Sequence, residues 1–101
     1  MAGEVHVSDT PIHRMTIKDQ DNAIVDVSGA SLKTIIFQKP DGTTVTQTAT
    51  FFTDGTDGIV EYQALGADHD TAGPWCKQAH ITIASGDWKS TIVGFPVAAN
   101  L

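Results

Sequence analysis

Several things are scarce in this 101-residue sequence, and each scarcity excludes a class of protein. There is one cysteine, Cys76, so no disulfide closes within the chain and no zinc site can be built on clustered cysteines. It reads as a small buried apolar side chain, the usual state of a free thiol. Basic residues are few: six Lys and Arg stand against twelve Asp and Glu, for a net charge of −6. A chain so acidic repels phosphate backbones and anionic lipid, which sets aside nucleic acid and membrane surfaces as partners. No apolar run approaches the ~18 residues of a membrane span. The first fifteen residues alternate polar and apolar, unlike a secretory leader, so a reduced, soluble protein is expected.

The hydrophobic fraction of 41% suffices for one core, and the length for one domain, 1–101. Turn chemistry recurs at short intervals: Asp19-Gln20-Asp21-Asn22, Ser28-Gly29, Lys39-Pro40-Asp41-Gly42, Asp54-Gly55-Thr56-Asp57-Gly58, Gly73-Pro74 and Ser85-Gly86-Asp87. Each offers Gly, Asn or Asp for positive φ, or Pro for a preset corner. Between the turns lie Thr, Val, Ile and Phe, residues that suit a pleated, half-buried surface. In residues 43–51, Val45, Gln47, Ala49 and Phe51 share one face and Thr44, Thr46, Thr48 and Thr50 the other. Only a strand separates those two sets. Further strands are predicted at 4–7, 12–18, 32–37, 58–64, 75–84 and 88–97, with residues 1–11 an N-terminal arm or edge strand. In the sixth of these seven, Trp75, Ala79, Ile81 and Ile83 share a face with Lys77. Strands at this spacing predict an all-β fold, an antiparallel β-sandwich of about seven strands.

Candidate chemistry is sparse. His6, His13, His69 and His80 form no H-x-H or H-x-x-x-H pair, so they read as packed or solvated histidines rather than as a metal site. Asp68 and Asp70 flank His69, but no serine elbow accompanies them and Cys76 lacks a nucleophile signature. An enzyme is therefore not expected. Asp19, Asp21 and Asp26, and then Asp54 and Asp57, lack EF-hand spacing and read as turn caps. Trp75 and Trp88 read as core anchors, with a sugar-stacking platform as the alternative. No cofactor is indicated.

The order of motifs resembles the N-terminal domain of phage baseplate upper proteins. The runs that carry it are Val25-Asp26-Val27-Ser28-Gly29-Ala30, Phe37-Gln38-Lys39-Pro40-Asp41-Gly42-Thr43, Gly58-Ile59-Val60-Glu61-Tyr62 and Asp68-His69-Asp70-Thr71-Ala72-Gly73-Pro74-Trp75. The resemblance implies an immunoglobulin-like β-sandwich located in the virion of a tailed phage. Its expected role is a non-enzymatic structural adaptor in the tail, baseplate or neck. Its expected partners are other virion proteins, and it would be a homo-oligomer within the particle. A capsid decoration protein and a carbohydrate-binding adhesion module are the alternatives. Ile35, Ile59, Val97 and Leu101 are the expected contact residues, as apolar side chains not obviously needed by a core.

Overall fold

A computed structural model describes residues 5–84 and 86–100. Among them are nine strands: β1 (Val5–His6), β2 (Ile12–Thr16), β3 (Leu32–Gln38), β4 (Thr44–Thr48), β5 (Thr50–Phe51), β6 (Ile59–Gln63), β7 (Gly73–Ile83), β8 (Gly86–Lys89) and β9 (Val93–Ala98). The larger sheet runs β1-β9-β7-β3-β4, with β8 also paired to β7, and the smaller runs β2-β6-β5. The expected immunoglobulin-like β-sandwich is what the chain forms. Its strands are more numerous than anticipated, because two of the expected strands divide.

Residues 43–51 divide between the sheets. β4 pairs with β3 in the larger sheet, whereas β5 pairs with β6 in the smaller. Buried Ala49 lies at the crossing, its N–H donating to the Lys33 carbonyl. The alternation survives the crossing because both sheets face one core. Residues 88–97 break as well, at Ser90. β8 pairs with the second half of β7 and β9 with the first. The Ser90 hydroxyl bridges the gap, accepting from the Ala79 N–H at 2.9 Å and donating to the Thr91 carbonyl at 3.0 Å. At the N-terminus, β1 lies parallel to β9, with Val5 opposite Val97. That segment is an edge strand from Val5 to His6. A parallel pairing of residues so far apart leaves no trace in local alternation.

Met15, Ile17, Val27, Ile35, Phe37, Ala49, Val60, Trp75, Ala79, Ile81 and Val97 form the core. Trp75 alone contributes roughly 4–6 kcal/mol of transfer free energy by its burial. Two of the expected contact residues are corrected by this packing. Ile35 is fully buried and Val97 nearly so, because each points to the inner face of the larger sheet. In the run Ile35-Ile36-Phe37 it is Ile36 that points outward and stays half-buried. Ile59 is half-buried on β6, and Leu101 lies outside the described residues.

The turn at residues 54–58 packs closely on the segment carrying Val27. Gly55 has φ +91°, and a Cβ built there would lie 2.7 Å from Ser28 Cα. Gly42 has nearly the same φ, +92°, but open space around it. Gly42→Ala is therefore expected to cost about 1–2 kcal/mol, the backbone strain alone. Gly55→Ala is expected to cost clearly more, because backbone must also move. Urea unfolding of the two variants checks this; equal losses would mean that the close contact is not made.

Candidate functional site

Alternation on β2 turns Ile12, Arg14 and Thr16 outward and leaves His13 and Met15 facing the core. From the opposite sheet β7 presents Trp75, Lys77, Ala79 and Ile81 to the same interior. Residues 64–72, between β6 and β7, fold over one end of the sandwich and bring in His69. The three polar groups meet there. His13 Nε2 lies 2.8 Å from His69 Nε2, and Lys77 Nζ lies 2.9 Å from His13 Nδ1. Exposure is 3% at His13 and 1% at His69.

Donor and acceptor rules order the protons. An ammonium only donates, so Nδ1 of His13 accepts from Lys77. The His13 proton then sits on Nε2 and is donated to Nε2 of His69. The remaining His69 proton is on Nδ1, which is buried without a partner. Leaving one donor unsatisfied costs about 1–3 kcal/mol. Rings wall the chain in: Phe37 and Phe95 lie 4.9 and 5.1 Å from His13, and Trp75 lies 4.9 Å from His69. In these surroundings neither imidazole charges readily. Burial first, then Lys77 and His69, push the His13 pKa down to about 3. Burial also lowers that of His69, against the pull of Asp68. Lys77 is itself lowered by burial.

Asp68 holds the loop in place. Its carboxylate accepts from the Tyr62 hydroxyl at 2.6 Å, the Leu65 N–H at 2.7 Å and Gln47 Nε2 at 3.2 Å. Burial and this acidic neighbour raise the Tyr62 pKa to about 12. His69 follows directly, so the carboxylate that ties both sheets to the loop also fixes where this ring sits.

The other candidates lie apart from this chain. His6 is on β1 near Asp9. His80 points from β7 to the outer face of the larger sheet. The acidic loops serve as turn caps: Asp19 accepts the N–H groups of Asp21 and Ala23, Asp26 that of Ser28, Asp54 that of Thr56 and Asp57 that of Ile59. Among the described residues no three His, Cys, Asp or Glu side chains converge. Trp75 is buried and Trp88 half-buried, so no pair of exposed indoles offers a platform for sugar. Cys76 sits half-buried in a depression of about 160 Å³ on the outer face of the larger sheet, beside Ile36, Gln38 and Ile92. The histidine pair does not line it.

No family model matches the chain, and no curated protein matches it either. Among solved structures it is similar to CopC from Methylosinus trichosporium OB3b, with a TM-score of 0.60 and 15% identity. The match covers 99% of this chain and 90% of that one. At that identity the likeness shows the fold.

These findings correct the resemblance to phage baseplate proteins. The match is to CopC and no phage family is supported, so the virion adaptor, the virion partners and the virion location fall with the resemblance. The capsid-decoration and carbohydrate-adhesion alternatives gain no support in their place. The misleading motifs are turn chemistry that unrelated antiparallel sandwiches share. In Lys39-Pro40-Asp41-Gly42-Thr43, Asp41 simply caps the Thr43 N–H and Gly42 supplies the positive φ. At the Asp70-to-Trp75 corner the Trp75 indole donates to the Thr71 carbonyl at 2.8 Å, a local tie across four residues.

Burial of neutral imidazoles has a consequence in acid. In the unfolded chain His13 titrates near 6.5, against about 3 when folded. The unfolded state thus binds more protons between these values. Stability is fully present above about pH 6.5 and is lost as the pH falls towards 3, at about 1.4 kcal/mol per pH unit for each such group. Urea unfolding at pH 7.5, 6 and 5 measures the slope, and His13→Gln should reduce it by about one proton. A profile flat from pH 7.5 to 5 would contradict a buried neutral pair.

Proposed function

We propose that this chain is a non-enzymatic metal-binding β-sandwich that takes up one late transition-metal ion, of the copper or zinc kind, through Nε2 of His13 and of His69. The observation that carries the reading is that two buried imidazoles face each other through Nε2 at 2.8 Å. Imidazole binds these metals only as the neutral ring, the form that burial favours here. Lys77 lies at the second nitrogen of the His13 ring and serves as an outer partner there only once its ammonium has given up a proton, since an outer partner accepts the ring N–H. Among the described residues, the bond to His13 is the one side-chain hydrogen bond of the His69 ring, whose Nδ1 is unpartnered.

Uptake rearranges the protons of this chain. To hold a metal, His13 would have to give up its Nε2 proton, and Lys77 would supply one to Nδ1 and accept a hydrogen bond back from it. One proton leaves the site for each ion bound. An ion held there would cross-link β2, through His13, to the loop that follows β6, through His69. CopC contributes only its likeness of fold to this reading; the ligands are argued from His13, His69 and Lys77. The non-enzymatic character rests on their surroundings. Neither imidazole hydrogen-bonds a hydroxyl or thiol among the described residues.

Competition titration against a chromophoric chelator, with Zn²⁺ and with Cu⁺ under anaerobic conditions, tests the reading. One ion per chain is expected. His69→Ala and His13→Ala should weaken binding at least ~100-fold, the upper range for outer-shell changes and a minimum for a ligand. His80→Ala should leave it unchanged. Absence of stoichiometric binding, or binding indifferent to both ligand variants, would rule the function out.

A further inference from the structure

We infer that β4 is a docking edge for a second copy of this chain, so that two copies join their larger sheets through an antiparallel β4–β4 pair. The contact is independent of the histidine pair and of what that pair binds. The larger sheet ends at β4, which is paired on one side, to β3. Two hydrogen bonds that bracket the strand fix which way its backbone points. Lys39 N–H donates to the Thr43 carbonyl at 2.8 Å, and Ala49 N–H to the Lys33 carbonyl at 2.9 Å. Antiparallel ladders alternate between hydrogen-bonded and non-hydrogen-bonded pairs. Residues 43, 45, 47 and 49 therefore turn their backbone groups to β3. Thr44, Thr46 and Thr48 turn theirs off the open edge, where no strand among the described residues meets them.

Such a row of unpaired N–H and C=O groups is a template for another strand, and edges are commonly blunted by charge, by proline or by brevity. The other edges of this sandwich carry that protection. β1 and β5 are two residues long, β2 carries Arg14, and β8 carries Asp87 and Lys89. β4 carries none of it: between Asp41 and Asp54 the sequence has neither a charged residue nor a proline. All three of its threonines are exposed.

The strand is also complementary to itself. It reads Thr-Val-Thr-Gln-Thr. A two-fold axis at Thr46 sets Thr46 opposite its own copy, Thr44 opposite Thr48 and Val45 opposite Gln47. The residues whose backbone groups point outward are the ones that meet, so each facing pair of threonines exchanges two hydrogen bonds. Their side chains form one row on the outer face, and cross-strand threonine pairs stabilise a sheet. Half-buried Val45 and Gln47 meet on the inner face. Every facing pair is neutral, so the net charge of −6 on each copy does not gather at the contact. Each copy offers one such edge, so assembly closes at two. Five residues from each copy make a small interface, and the dimer is accordingly weak and reversible.

Sedimentation of the intact protein from about 10 μM to about 2 mM tests the contact. A monomer–dimer equilibrium is expected, with a Kd between about 10 μM and about 1 mM. Thr46→Lys sets two ammonium groups across the axis and should weaken association at least ~10-fold, as should Thr46→Glu. An equimolar mixture of these two variants should restore dimers, because opposite charges then face each other. Thr16→Lys, at an exposed position of β2, should leave association unchanged. Urea unfolding checks that both Thr46 variants are folded. A chain that stays monomeric throughout, or a dimer indifferent to both Thr46 variants, would overturn the pairing. A mixture that stays monomeric would overturn the axis at Thr46.

Discussion

Lys77 projects from the longest strand toward the interior, half-buried, and His13 meets its ammonium from the opposite sheet. A buried cation without a partner costs several kcal/mol. The register of β2 is therefore fixed by more than apolar burial. A slip of one residue against β6 would turn His13 to solvent and bring Ile12 and Arg14 inward. Lys77 would then face a second cation. The contact from Nζ to Nδ1 is the point where the pairing of the smaller sheet and the packing of the two sheets depend on each other.

From that contact the polar order spreads outward. With Nδ1 of His13 accepting, Nε2 must donate, and His69 is drawn in as the acceptor. His69 reaches the position because Asp68, one residue earlier, gathers Tyr62 from the smaller sheet, Gln47 from the larger and the Leu65 N–H within the loop. Two polar systems thus run side by side. One is fully satisfied and rigid. The other ends on an unpaired Nδ1, in a ring held by its bond to His13 and by packing against Phe37, Trp75 and Phe95.

Much of the layering was legible in the residues. The Thr face against the Val45, Gln47, Ala49 and Phe51 face is present as read, and so is the inward row of β7 that includes Lys77. The division of strands at Ala49 and Ser90 was not legible, because period-two alternation continues through a crossing when both sheets share one core. The contact choice of Ile35 failed because a run of three apolar residues does not say which of them faces out. The histidine pair was missed for want of local spacing: its members are 56 residues apart. Two signals could have found it. His13 alternates with Met15 and Ile17, which places it inside. Lys77 alternates with Trp75, Ala79 and Ile81, and a cation on that face requires a partner.

The resemblance to phage proteins and the likeness to CopC fail to reach the site for the same reason. Turn motifs report where a chain must reverse, and backbone likeness reports how strands are ordered. Neither says which side chains fill the space between the sheets. What distinguishes this interior is an arrangement no turn encodes: one imidazole on a strand with a fixed ladder, another on a loop, and an ammonium behind the first. His13 sits on a ladder strand and His69 on a loop, so their contact joins two parts of the chain that no ladder hydrogen bond joins.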